Sequence, residues 1–179
     1  LHDGTVALRP WSDRDLGCVA EASRDPDIPN GTTVPVPYSD AAGSAFVARQ
    51  QDRWASGQGL SLAVVDAATE GAVGLACLLH RQQPGVLGVG YWTVATARRR
   101  GLTTRAVTLL SRWALGQPSV GRLEALVAPD NAASIAVLVG AGFVREGTLR
   151  GYLPTGDGRA DMLIFSLLAG DLGAADPAP

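Results

Sequence analysis

The chain has 179 residues, 46% of them hydrophobic and 18% charged, with a formal net charge of -2. That length suits one domain with a sizeable core, and plentiful aliphatic residues at low net charge exclude a disordered chain. All 15 basic residues are Arg, which removes a Schiff-base lysine, a P-loop lysine and any other catalytic lysine.

In chain order, Thr5 to Pro10 reads as a short first strand with Val6 and Leu8 on one face. Ser12 with Asp15 three residues on marks a helix start, and that helix carries Leu16, Val19 and Ala20 inward to about Arg24. Residues 25–38 hold Pro26, Pro29, Pro35 and Pro37 without a period and read as a loop broken into turns. Ser39 opens a second helix with Ala42, Phe46 and Trp54 on its inner face, ending at Gly57. Three strand-like runs follow, Leu60 to Asp66, Gly71 to His80 and Val86 to Ala95. The short turns between them favour antiparallel hairpins.

A third helix follows Arg98 to Thr103, with Ala106, Leu109, Leu110 and Trp113 at helical spacing. Arg122 to Ala128 is a further strand. Asp130 is placed to cap a short helix through Ile135, Leu138 and Val139. Val144 to Arg150 and Met162 to Leu168 close the sheet. Residues 1–170 thus read as one domain, and 171–179, rich in Ala, Gly, Asp and Pro, as a flexible tail. The order β-α-α-β-β-β-α-β-α-β-β gives an α/β class, with a mixed, mostly antiparallel sheet of about seven strands and about four helices.

Cys18 and Cys77 suit a reducing cytoplasm better than a disulfide scaffold, and two His with one Met supply a metal centre poorly. No metal is therefore expected. A pI near 5.6 speaks against a nucleic-acid partner. No run reaches the roughly 18 apolar residues of a membrane span, so no membrane partner is expected. The opening Leu1 to Gly4 has no basic stretch before an apolar run and reads as neither a secretory leader nor a natural start. A cytoplasmic location follows from these readings.

The informative turn is Arg98, Arg99, Arg100 and Gly101 with Leu102, Thr103 and Thr104. There a strand ends and a helix begins. Unpaired N–H groups and the positive dipole end of a helix suit a pyrophosphate. Gly101 allows close approach, and Arg side chains add charge-assisted contacts. Alone, three Arg at a helix start also suit a solvated turn.

Arg98-x-x-Gly101-x-Thr103 resembles the Arg/Gln-x-x-Gly-x-Gly/Ala signature of the GCN5-related N-acetyltransferase (GNAT) superfamily. Gly90-Tyr91-Trp92, Pro129-Asp130-Asn131 with Ser134, Gly142-Phe143 with Glu146-Gly147, and Arg159-Ala160-Asp161 match in the same order. So does the opening Leu8-Arg9-Pro10 with Asp15-Leu16. Together they resemble the branch that acetylates N-termini of ribosomal proteins, over about residues 4–168. Thr103 stands where Gly or Ala is usual, and Arg99 where Gly is common.

The resemblance implies the GNAT fold, splayed between strands 4 and 5, with a bulge in strand 4. It implies acetyl-CoA as co-substrate and an amine acceptor, with direct transfer in a ternary complex. Pantetheine would pair with backbone at Trp92, Thr93 and Val94, and the pyrophosphate would rest on Arg98 to Thr104. Asn131 would bond pantetheine or nearby backbone, and Ser134 would reach the sulfur. An N–H near Val94 would hold the oxyanion. Thr103 suits an N-cap.

For the base, relatives often carry a carboxylate just before the position of Tyr152, and here it is Gly151. Glu146 is the nearest acid and the candidate base, with pairing to an Arg as its structural reading; a water chain to solvent is the other route. Tyr38, Trp54 and Tyr152 are candidates for acceptor contacts. An acceptor with an α-amino pKa near 8 asks less of a base than a lysine near 10.4. The acceptor is accordingly read as a protein N-terminus or a small-molecule amine. Arg49, Arg53 or Arg81 could hold the carboxylate of a succinyl-CoA, and a catalytically weak acyl-CoA-binding module is the other alternative. Exposed strand edges also invite pairing into a homodimer.

Overall fold

The computed structural model describes residues 1–156 and 158–173. Its strands are β1 (Val6–Arg9), β2 (Gly59–Asp66), β3 (Ala72–His80), β4 (Val86–Thr93), β5 (Arg122–Val127), β6 (Val144–Thr155) and β7 (Gly158–Leu167). The helices are α1 (Leu16–Ser23), α2 (Asp40–Ala55), α3 (Leu102–Leu115) and α4 (Ala132–Gly140). One seven-stranded sheet runs in the order β1-β2-β3-β4-β5-β7-β6. Every neighbour is antiparallel except β4 and β5, which are parallel. The expected mixed α/β sheet and its four helices are present, in the expected order.

Side chains alternate across the strands, so β4 serves two layers. Trp92 turns to one face and meets Trp11 and the Phe46 ring of α2 at centroid distances of 5.9 and 6.5 Å. Tyr91 and Thr93 turn to the other and meet α4 and α3 through their hydroxyls. α3 presents Leu102, Ala106, Val107, Leu110 and Ala114 to the core, a stripe at helical period.

Several boundaries and faces differ from the sequence reading. Asp13–Asp15 form a 3-10 turn before α1, because Asp15 bonds the Ser12 N–H and the Arg9 guanidinium at once. Val139 is exposed, since α4 leans on α3 and β5 along the line of Leu138. Trp54 is 68% exposed, at the C-terminal end of α2 beside Leu60 of β2. β6 and β7 are longer than read, and β6 passes two register breaks, at Arg145/Gly147 and Leu149/Leu153. Residues 169–173 form a 3-10 turn with Leu172 against the core. The rest of the expected flexible tail, 174–179, lies outside the described residues.

Candidate active site

Parallel pairing of β4 with β5 covers three positions, Val86 with Arg122, Leu87 with Leu123 and Gly88 with Glu124. β4 then continues to Thr93 and β5 to Val127 without pairing, so the sheet opens between them as expected. The β3–β4 register runs unbroken from His80/Leu87 to Gly74/Thr93, so the expected bulge is not in that ladder.

That regular ladder decides which amides face the opening. Val94 N–H donates to the Val73 carbonyl at 2.9 Å, and Arg81 N–H to Val86 at 3.2 Å. Alternation then turns the amides of Trp92 and Val94 to β3 and those of Tyr91 and Thr93 to the β5 side. Val94 N–H is thus occupied by β3, and the groups aimed at a ligand in the opening belong to Tyr91 and Thr93. The Trp92 side chain is packed in the aromatic core.

The turn from β4 to α3 has unusual backbone at two places. Gly101 caps α3 with φ 73°, and Arg99 has φ 60°. Left-handed backbone explains why glycine suits both positions. α3 starts at Leu102, and its first bond to a preceding carbonyl is Arg105 N–H to Gly101 at 3.1 Å. Leu102, Thr103 and Thr104 amides therefore have no acceptor among the described residues. Thr103 is not the cap: its hydroxyl lies 2.6 Å from that of Thr93 and ties the helix start to the strand end. The Thr104 side chain fits against Gly140, where an added Cβ would stand 3.1 Å from its methyl.

Two of the three arginines already have acidic partners. Arg98 pairs with Asp25 at 2.5 Å and donates through Nε to the Thr93 carbonyl at 3.1 Å. Asp25 is buried and also accepts from the amides of Asp27 and Ile28. Arg100 pairs with Asp66 at 2.7 Å. The Glu21 carboxylate takes the Thr96 N–H and hydroxyl. The turn is thus braced to α1 and the loop after it.

Across the opening, the Asn131 side chain caps α4 by accepting the Ser134 N–H at 3.0 Å, so Asn131 and not Asp130 is the cap. Ser134 Oγ lies 2.8 Å from the Tyr91 phenol, which also donates to the Ser134 carbonyl at 3.1 Å. Burial pushes the Tyr91 phenol up to about 12, partly offset by the bond to Ser134. Tyr91 is the site residue that sequence reasoning missed. Its signal was positional: it alternates with the core residue Trp92, so it had to face the other side, where Ser134 lies.

The remaining candidates separate. Tyr152 is half-exposed on β6 beside the break at Leu149/Leu153. Since Leu163 of β7 pairs with Val127 and Ala160 with Leu153, that segment overhangs the open end. Arg159 holds the carbonyls of Gly151 and Tyr152, and Asp161 takes the Gly151 N–H at 2.6 Å. Gly151 has φ 56°.

Glu146 lies on β6, the edge strand of the sheet. It makes a two-point pair with Arg122, at 2.9 and 2.5 Å, and accepts the Ser166 hydroxyl at 2.7 Å. Glu146 stands between the positions facing Phe165 and Ile164, with β7 and β5 between it and Tyr91 on β4. The Arg122 guanidinium, with the Ser166 hydroxyl, holds its carboxyl near 2, where it is a poor proton acceptor at neutral pH.

Tyr38 packs inward over Gly43 with its hydroxyl toward the Leu16 carbonyl. Trp54 lines two cavities of about 370 and 340 Å³ with Leu60 and Trp113, at the C-terminal end of α3 and not at its start. No described helix is long and apolar enough to cross a membrane.

Comparison with known proteins bears on the family and the fold. Residues 5–144 match the family model described as the acetyltransferase (GNAT) domain. An uncharacterized N-acetyltransferase, p20, from Bacillus licheniformis is 24% identical, covering 94% of this chain and 95% of that protein. Among solved structures, Mycobacterium smegmatis RimJ in complex with CoA-disulfide is 23% identical. It aligns over 93% of this chain and 83% of its own, with a TM-score of 0.77. The microcin C7 self-immunity acetyltransferase MccE in complex with acetyl-CoA and AMP is 16% identical. It aligns over 93% of each chain, with a TM-score of 0.79. At these identities the solved structures establish likeness of fold.

Proposed function

The chain belongs to the GNAT acetyltransferase family, and from that premise we propose that it transfers acetyl from acetyl-CoA to a primary amine by direct attack in a ternary complex. The observation that carries this is one opening with complementary ends. Unpaired amides at Leu102, Thr103 and Thr104 stand at one side of the β4–β5 gap, and Ser134 at the other. In this reading the pyrophosphate rests on the amides from Arg99 to Thr104. Arg99 adds its charge, while Arg98 and Arg100 brace the turn. Pantetheine bonds the backbone of Tyr91 and Thr93, and Asn131 holds the start of α4 beside it. Ser134 meets the sulfur.

The amine attacks the thioester carbonyl carbon, the carbon–sulfur bond breaks, and its electron pair leaves on sulfur. Positioning does most of the work, because a thiolate leaves well. Glu146 is assigned to its ion pair and the base to water, which favours an α-amine, near 8 in pKa, over a lysine side chain. Tyr152 and the Gly151 bend are assigned to the acceptor. No metal has a part in this reaction, and a cytoplasmic homodimer is compatible with it.

The test is a panel of peptides with free or blocked N-termini, with and without Lys, incubated with acetyl-CoA. CoA thiol is measured as it forms, and the acetylated atom is located by mass spectrometry. Acetyl on the α-amine is the expected result. Acetyl confined to lysine overturns the acceptor assignment. Tight acetyl-CoA binding without turnover on any amine favours the binding-module reading, which the missing carboxylate at Gly151 motivates.

A further inference from the structure

We propose that Tyr91 is a positioning residue for the leaving sulfur: its phenol donates to Ser134 Oγ, which leaves the serine's own hydrogen to point into the opening at the CoA thiolate. This rests on the reading of the opening as a CoA site. Two hydroxyl oxygens 2.8 Å apart share one hydrogen, and either can supply it. A phenol, with a pKa near 10, is a stronger acid than an alkyl alcohol and so the better donor.

The Ser134 carbonyl at 3.1 Å draws the phenolic hydrogen to the same side. Phenolic hydrogen directed between Oγ and the carbonyl serves both acceptors, whereas serine hydrogen directed at the phenol would leave the thiolate no donor. A hydroxyl that already accepts a bond is also polarised into a stronger donor. Burial of Tyr91 favours the neutral phenol, the form that can donate.

The contact sits where this can act. Tyr91 lies three residues past Gly88, the last residue of β4 paired with β5, so the phenol bridges strand and α4 across the opening itself. In the reaction, sulfur receives the carbon–sulfur electron pair and the Ser134 hydroxyl donates to it. The proton released by the attacking nitrogen then neutralises sulfur through solvent. The Tyr91 phenol stays neutral throughout and touches neither substrate.

A purely structural staple between β4 and α4 would show the same contact. The two are separated by the acidity of bound CoA, which needs no acceptor amine. CoA carrying carbon-13 beside its sulfur is titrated by NMR when bound to the wild-type protein, Tyr91→Phe, Ser134→Ala and the double variant. Calorimetry measures CoA affinity in parallel.

The bound thiol is expected to titrate about one pH unit below free CoA, a tenfold gain in acidity. Each single substitution should return it toward the free value by the same amount, and the double variant should go no further. 3-Fluorotyrosine at position 91, a stronger donor of the same shape, should move it below wild type. A Tyr91→Phe protein that binds CoA with the wild-type thiol acidity overturns the proposal. So does a wild-type thiol that titrates like free CoA. A wild-type protein that calorimetry shows binding no CoA overturns the CoA-site reading beneath it, and is told apart on that ground.

Discussion

Gly101 shows what one residue's backbone freedom is worth at the candidate site. Its φ of 73° caps α3, and an added Cβ would meet nothing within 4 Å. The cost of Gly101→Ala is therefore conformational alone, about 1–2 kcal/mol. For a chain of this length that lowers Tm by about 2–8 °C, to be read by thermal denaturation.

Glu146 makes the opposite kind of case, where a side chain's charge matters and its acid–base chemistry does not. Arg122 holds its carboxyl at about 2, against an ordinary 4.5. The unfolded chain thus binds its proton at higher pH than the folded one. The stabilisation is complete above about pH 4.5 and fades as pH falls toward 2. Asp25 and Asp66, held down by backbone bonds and by Arg98 and Arg100, act in the same direction. Glu146→Gln should flatten part of the acid limb of a stability-versus-pH curve. It should leave the pH dependence of acetyl transfer between pH 6 and 9 where it was, and loss of the rise in rate with pH would show that Glu146 takes the proton after all.

Among the elements, the loop after α1 and the turn before α3 are joined by a contact that no local pattern announces. Asp25 accepts from two amides of its own loop and from Arg98, which also reaches back to the end of β4. Asp25→Asn keeps the shape and removes the charge, so charge-assisted bonds become neutral ones at a cost of about 1–2 kcal/mol. Since Arg98 braces the turn assigned to the pyrophosphate, the acetyl-CoA dissociation constant should rise while the acceptor KM stays within about twofold. Steady-state kinetics and calorimetry on one preparation give both values.

Alternation and helical period made the strands and α3 legible, as did the run Arg98 to Thr103. Three things were not legible, each for a physical reason. Helical spacing cannot say how fully a helix's last turn is covered, so Trp54 was placed inside. A strand's sequence does not show which edge its amides face, so Val94 was read as an oxyanion donor although Val73 occupies it. Contacts such as Arg98 with Asp25, 73 residues apart, follow from tertiary packing, which no local pattern encodes.

At the scale of the whole molecule, the sheet is closed at Arg122 and open at Val127, and a ligand in the opening touches both halves of it. β1 to β4 and α3 lie on one side of the gap; β5, β7, β6 and α4 lie on the other. A molecule bonded to Thr93 on one side and held near Ser134 on the other links halves that three residue pairs of β4 with β5 and the helix contacts otherwise join. Acetyl-CoA should therefore stabilise the fold as a unit. At 100 times its dissociation constant, linkage gives about 2.7 kcal/mol, or a rise in Tm of about 5–10 °C for this size. Gly101→Asp is the matched control. Asp tolerates left-handed backbone and suits a helix start, so α3 survives. Its carboxylate then occupies the ground of the pyrophosphate, and the rise should vanish. Trp54→Ala, far from the start of α3, should keep the full rise. A rise that persists in Gly101→Asp would place the nucleotide elsewhere. The same rise lost in Trp54→Ala would move it to the cavities at the other end of that helix.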